Sequence, residues 1–192
     1  MGRKESRIQS WTSRFLLTIF IILTTQNLIS SPVDDHQERF EDVALKIWEY
    51  AELGYLEEKS SGLLQQELED SGFTIQSGIA GIPTAFIAEY NNGGPVLGIL
   101  GEFDALPGLS QQNVPFKTAE GLSSANGHAC GHHLFGAASA WAVVAIKEWL
   151  EESGTPGTIR FYGTPAEEGG SGKVYIARDG YFDDVDIVLH WH

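Results

Sequence analysis

Val96-Leu97-Gly98-Ile99-Leu100-Gly101-Glu102-Phe103-Asp104-Ala105-Leu106-Pro107-Gly108 is an apolar run that ends in two acids around one aromatic residue. A run this apolar, from Val96 to Phe103, suits a strand in a sheet covered on both faces. Side chains alternate along a strand, so Glu102 and Asp104 fall on the same side as the run ends. Downstream, an almost wholly apolar helix is predicted from about His132 to Glu152. A strand over Thr158–Gly163, a short helix near Lys173–Asp179 and a last strand over Val185–His192 follow it. Strand and helix alternate, which places the chain in the α/β class.

Upstream the periodicity is helical. Phe40, Val43, Ala44, Ile47, Trp48 and Ala51 share one face of a helix that begins near Asp34 or Asp35 and stops before Gly54. Leu63, Leu64 and Leu68 mark a second helix over about 59–70. Strands are expected over 73–77 and 84–90, and Asn91-Asn92-Gly93-Gly94-Pro95 carries the signal of a hairpin turn into the Val96 strand. Residues 109–126 form a long polar loop, of the kind that is functional or disordered in compact domains.

The chemistry gathers where strands end, the edge at which open α/β sheets bind ligands. Asn126-Gly127-His128-Ala129-Cys130-Gly131-His132-His133 holds the only cysteine and three of the six histidines. Cys130 and His132, two residues apart on a turn, can point into one cavity and are good ligands for zinc and similar metals. Alone, the pair reads more readily as a buried cysteine beside surface histidines. Glu167-Glu168, between a strand-Pro turn and Gly169-Gly170, and the terminal His190-Trp191-His192 turn the weight toward a metal site. One glutamate could bind metal while its neighbour acts as the base on water. A Cys130–His132 thiol hydrolase is a third reading, but it leaves Glu167, Glu168 and His192 without work.

Four segments carry a resemblance. GEFDALPGLSQ (101–111), NGHACGHHLFGAAS (126–139), RFYGTPAEEGGSGK (160–173) and DGYFDDVDIVLHWH (179–192) resemble the metal-dependent amidohydrolases that include aminoacylases, carboxypeptidase G and auxin-conjugate hydrolases. The likeness is strongest to the p-aminobenzoyl-glutamate hydrolase group and related dipeptidases. It implies a three-layer zinc-peptidase-like catalytic domain with a mostly parallel sheet, and two divalent metal ions, zinc or manganese. Cys130, as the bridging ligand, His132, Glu168 and His192 would hold the metals. Glu167 would be the general base, and Asp104 would orient a ligand. The spacing from Glu168 selects His192 over His190, and His133 stands where the family has Asp or Asn. The implied substrates are N-acyl or aminobenzoyl amino acids or small dipeptides. The resemblance also implies that residues 32–192 are an N-terminal portion, truncated before a lid or dimerisation domain and a further ligand histidine. Such a portion alone would be inactive, and the full-length protein a homo- or hetero-oligomer. A non-catalytic metal-binding fragment or partner subunit is the competing reading.

Composition bounds the partners. With 26 acids against 12 Lys and Arg the net charge is −14, which excludes nucleic acid or anionic membrane as an electrostatic partner. Residues 1–31 read as a secretory signal, with Arg3, Lys4, Arg7 and Arg14 ahead of an apolar run from Phe15 to Thr25. The expected location is secreted, periplasmic or lumenal, with a membrane anchor as the alternative. A lone cysteine in an exported protein calls for an explanation, and metal ligation supplies one.

Overall fold

Helix α1 (Gln37–Tyr50) buries Phe40, Val43, Ala44 and Ile47, the stripe expected of an amphipathic helix with one face on the core. The structure, a computed structural model, describes residues 33–116 and 125–192. The proposed leader over 1–31, with its anchor alternative, and the middle of the polar loop therefore lie outside the described residues. Among the described residues no helix is long and apolar enough to cross a membrane. His36–His192 forms one compact unit. In it α1 is followed by α2 (Glu58–Asp70), β1 (Thr74–Ser77), β2 (Phe86–Asn91), β3 (Val96–Gly101), α3 (His132–Ser153), β4 (Thr158–Gly163), the single turn α4 (Glu167–Gly170), α5 (Gly172–Arg178) and β5 (Ile187–Leu189).

The strands form one sheet in the order β1-β2-β4-β3-β5. β3 pairs parallel with β4 and with β5, whereas β2 is antiparallel to both its neighbours. Four strands thus point one way and β2 alone is reversed. Alternation assigns the two faces: Phe86, Ala88, Ile99, Ile159 and Phe161 pack with α1, α2 and α3. Ala85, Ile87, Leu100 and Tyr162 pack with Ile79, Ile82 and Ile176 of α5. Helix, sheet and helix make the three layers, and a strand covered on both faces has no polar alternation to show.

Three local expectations change. The turn over 91–95 does not close a hairpin, because β4 lies between β2 and β3. Both strands pair with β4, and the turn spans its start: Asn92 N–H donates to Gly157 O at 3.1 Å and Thr158 N–H donates to Pro95 O at 2.9 Å. Gly94 has φ +71°, and a Cβ there would sit 2.5 Å from Pro156 O, so the crossing depends on glycine. Helix α1 ends at Tyr50, with Ala51 left-handed at φ 41°, several residues before Gly54. The last strand shortens to Ile187–Leu189. Residues 190–192 leave the sheet and lean on α3, where Trp191 stacks edge-on against Phe135 at 4.8 Å and donates to Ser139 Oγ at 3.1 Å.

Helix α3 approaches the end of β3 closely. A Cβ on Gly136 would lie 2.6 Å from the carbonyl oxygen of Glu102. That contact, one turn below His132, sets the helix's N-terminus over the strand exit. His128, on the loop entering α3, donates from Nε2 to Ile47 O at 3.0 Å, and its ring lies 5.0 Å from that of His133.

Two outcomes follow from this packing. Gly136→Val should cost roughly 1–3 kcal/mol of folding stability by overpacking, read as a lower unfolding midpoint; an unchanged midpoint would mean the helix can lift off the strand freely. The second concerns pH. Burial lowers both His128 and His133 to about 4. Between about 6.5 and about 4 the unfolded chain takes up a proton at each that the folded chain refuses, so stability is lost as pH falls through that window. His133→Asn removes one such site. Its stability relative to the native chain should rise as pH falls from about 7.5 to about 5 in urea titrations, and a pH-independent difference would contradict the assignment.

Candidate metal centre

The C-terminal ends of β3, β4 and β5 and the N-terminus of α3 converge on one imidazole. His132 is the first residue of α3 and is fully buried, preceded by Gly131 at φ 85°. Its Nδ1 lies 2.8 Å from Asp104 Oδ1. Its Nε2 lies 2.8 Å from Glu102 Oε2, 3.2 Å from His192 Nε2, and 3.9 Å from carboxylate oxygens of both Glu167 and Glu168. Cys130 Sγ is 3.2 Å from the same His192 nitrogen. All six sequence-selected residues, Asp104, Cys130, His132, Glu167, Glu168 and His192, are therefore neighbours.

Chemistry decides what such a cluster can hold. A carboxylate on Nδ1 fixes the proton there, so a neutral His132 presents a lone pair at Nε2. Glu102 Oε2 faces that lone pair with lone pairs of its own, and the ring nitrogen of His192 lies 3.2 Å away with the Cys130 sulfur beside it. Such a set is stable only around a positive charge, either a proton on Nε2 or a metal ion. Burial opposes protonation of His132, but Asp104 and Glu102 overcome it and raise the imidazole to about 10. Cys130 is exposed, yet partial desolvation, Glu168 and the further carboxylates push its thiol up to about 11, so a nearby cation would favour the thiolate. That weighs against a free thiol nucleophile. Among the described residues, Glu168 Oε1 is a buried carboxylate oxygen without a hydrogen-bond partner, and Glu102 Oε2 is bonded only if the facing nitrogen of His132 carries a proton. Two ligand sets, Cys130/His132/His192 and Glu102/His132/Glu167, keep their donor atoms within 4.8 Å of one another and share His132. The donors fit divalent metal.

Glu102 was visible in the sequence only as an acid on the same side as Asp104; the structure gives it a larger place. It is 1% exposed. Its Oε1 accepts from Lys173 Nζ and from His190 Nε2. Burial would raise it, yet bonds from His132, Lys173 and His190 hold it at about 2. His190 thus sits behind the cluster and contacts Glu102 rather than the shared nitrogen.

The acid pair is held by its backbone. Asp104 Oδ2 accepts from Glu168 N–H at 2.9 Å, so one carboxylate orients His132 and the Glu168 turn together. Ala166 and Ser171, at φ 57° and 54°, bracket α4 in the left-handed region, a strain of about 1–3 kcal/mol for each non-glycine residue. Glu57 Oε1 accepts from Ala166 N–H at 2.8 Å. Nothing in the sequence marks Glu57, because the contact joins residues 109 positions apart.

Known proteins share this arrangement of segments. The model of Peptidase family M20/M25/M40 matches residues 98–192, the part of the chain that supplies the cluster. The chain is 46% identical over 164 residues to one of the subunits of p-aminobenzoyl-glutamate hydrolase from Escherichia coli (strain K12), covering 85% of this chain and 34% of that protein. It is 30% identical over 160 residues to hippurate hydrolase of Campylobacter jejuni, covering 82% of this chain and 40% of the relative. Among solved structures, a Bacillus subtilis dinuclear metal binding peptidase from the M20 family superposes with a TM-score of 0.68 at 26% identity, over 81% of this chain and 42% of that one. The chain thus spans less than half the length of each of the three. With the four motif-bearing segments meeting at one imidazole and the family model lying across all four, the chain belongs to the M20/M25/M40 family of metal-binding hydrolases.

Proposed function

We propose that the protein hydrolyses the amide bond of N-acyl or aminobenzoyl amino acids or small dipeptides, using two divalent metal ions, zinc or manganese. The carrying observation is that two sets of potential metal ligands, Cys130/His132/His192 and Glu102/His132/Glu167, share the buried His132 and keep their ligand atoms within 4.8 Å of one another. Cys130, His132, Glu168 and His192 are the proposed ligands, with Glu102 directly beside them. When bound, the metals supply the positive charge that acidifies a water and polarises a carbonyl. Asp104 keeps the His132 proton on Nδ1 and so keeps Nε2 free to ligate.

The two glutamates divide the labour by exposure. Glu168 has a buried, unpartnered Oε1 and a side chain 21% exposed, which suits a ligand. The Glu167 side chain is 40% exposed, which suits a base that must meet water and product. Glu167 would accept the proton of the attacking water and return it to the departing amide nitrogen. The substrate class rests on the relatives. Aminobenzoyl-glutamate and hippurate, in the names of two of them, are both amides of a benzoyl group with an amino acid.

Export and assembly belong to the same proposal. The basic lead and apolar run over 3–25 support a secreted, periplasmic or lumenal protein. The relative from Escherichia coli is itself one subunit of a hydrolase, which supports association in a homo- or hetero-oligomer.

The roles separate by measurement. Cys130→Ala and His132→Ala should each lower the metal content of the purified chain, and unchanged stoichiometry in both would remove the site. Glu168→Gln should lose metal as well. In the full-length gene product, Glu167→Gln should keep its metals and lose roughly 10²–10⁴-fold in kcat on aminobenzoyl and N-acyl amino acids. Equal metal loss in the two glutamate variants would show that the roles are misassigned, and a metal-replete but inactive full-length protein would favour the non-catalytic reading.

A further inference from the structure

Glu57 is a carboxylate with an unusual address. It is fully buried at the start of α2, and among the described residues no Lys, Arg or His pairs with it. Its two oxygens are instead used by neutral donors: Ala166 N–H to Oε1 at 2.8 Å and Thr84 Oγ1 to Oε2 at 3.1 Å. Burial pushes it up to about 7. A buried charge without a counter-charge costs stability, and for packing alone an apolar side chain of this volume would serve better. The feature that needs an acceptor is Ala166, whose left-handed φ of 57° begins the turn carrying Glu167 and Glu168.

Neighbouring residues grip the same turn. Tyr55, itself at φ 66°, donates its hydroxyl to Gly170 O at the far end of α4. Gly54 packs so closely that a Cβ would meet Ala166 at 3.0 Å. Ala105 N–H donates to Glu52 O at 2.8 Å, which ties this segment to the exit of β3. Residues 52–57 therefore link the two strand ends that bear Asp104 and the acid pair.

We infer that Glu57 is a positioning residue for the proposed metal centre: by fixing Ala166 N–H it sets where Glu168 and Glu167 stand relative to His132. The inference rests on the metal-dependent reading above and adds to it a residue that touches no metal. Its effect passes through the backbone, so it should appear as weakened binding of the ion that Glu168 holds, while Cys130 still ligates the other.

Cobalt(II) titration of the full chain tests this without any need for turnover, because a thiolate–cobalt pair absorbs in the near ultraviolet. The native chain should take up two ions, with the thiolate band. Glu57→Leu should keep the band and an unfolding midpoint, measured metal-free, no lower than native, while its second ion binds roughly 10–100-fold more weakly. Glu57→Gln, which retains an oxygen for Ala166 N–H, should recover most of the lost affinity. A Leu variant that binds both ions as tightly as native, or that unfolds in the absence of metal, overturns the inference, as does a Gln variant no better than Leu. If the native chain takes up no cobalt, the metal-dependent reading falls and this inference with it. If the native chain binds two ions and Glu57→Leu does too, only the positioning role falls.

Discussion

The structure turns on an imidazole held between two acids. Asp104 takes the proton side of His132 and Glu102 confronts the other nitrogen at 2.8 Å. One carboxylate on a buried histidine is a common orienting device. A second carboxylate on the opposite nitrogen is stable only if a positive charge lies between them. In the metal-free chain a proton serves, and His132 rises to about 10. A divalent ion would serve better, because Cys130, His192 and Glu168 also have unshared electrons aimed at the same space. The rest of the fold supplies the means of holding those groups close enough to conflict.

Backbone proximity supplies it. Gly101 lies where a Cβ would strike the Phe161 ring at 2.5 Å, and Gly136 where one would strike Glu102 O at 2.6 Å. Those contacts let α3 sit on the end of β3, so that a helix N-terminus and a strand exit supply opposite sides of one side chain. The parallel arrangement of β3, β4 and β5 then sends Glu102, Glu168 and His192 out at a common edge. A reversed strand among these three would have delivered its residues to the far end of the sheet. β2 is reversed, and it contributes nothing to the cluster.

What could be read from the sequence follows from range. The periodicity of 37–50, the apolar run at 96–101 and the strand pattern at 158–163 are local, and those elements stand close to where the pattern put them. Glu102 and Asp104 were on one side by alternation alone. The Asn91–Pro95 turn misled because its chemistry is that of a hairpin, while strand order is decided by the long-range pairing of β4 with both neighbours. Glu57 and the Lys173–Glu102–His190 contacts were illegible for the same reason: no spacing rule connects residues so far apart. The last strand was overread, since Ile187–Leu189 is apolar but lies at a sheet edge where pairing stops after three residues.

The balance of charge in this corner also bears on folding. Glu102, Asp104, Glu167 and Glu168 surround His132, with Lys173 and His190 joined to Glu102 alone. Carboxylates this close repel when ionised, and within a buried site solvent screens them little. The folded chain holds them together through Asp104 and Glu57, each accepting backbone N–H bonds from the acid turn, and through the strain kept at Ala166 and Ser171. Removing that repulsion by binding cations would release free energy into the fold as a whole, because the unfolded chain has no such assembly to relieve. Metal affinity and the stability of the metal-loaded β3–α3–α4 corner are therefore linked. A change that relaxes the corner weakens binding even where no ligand is touched.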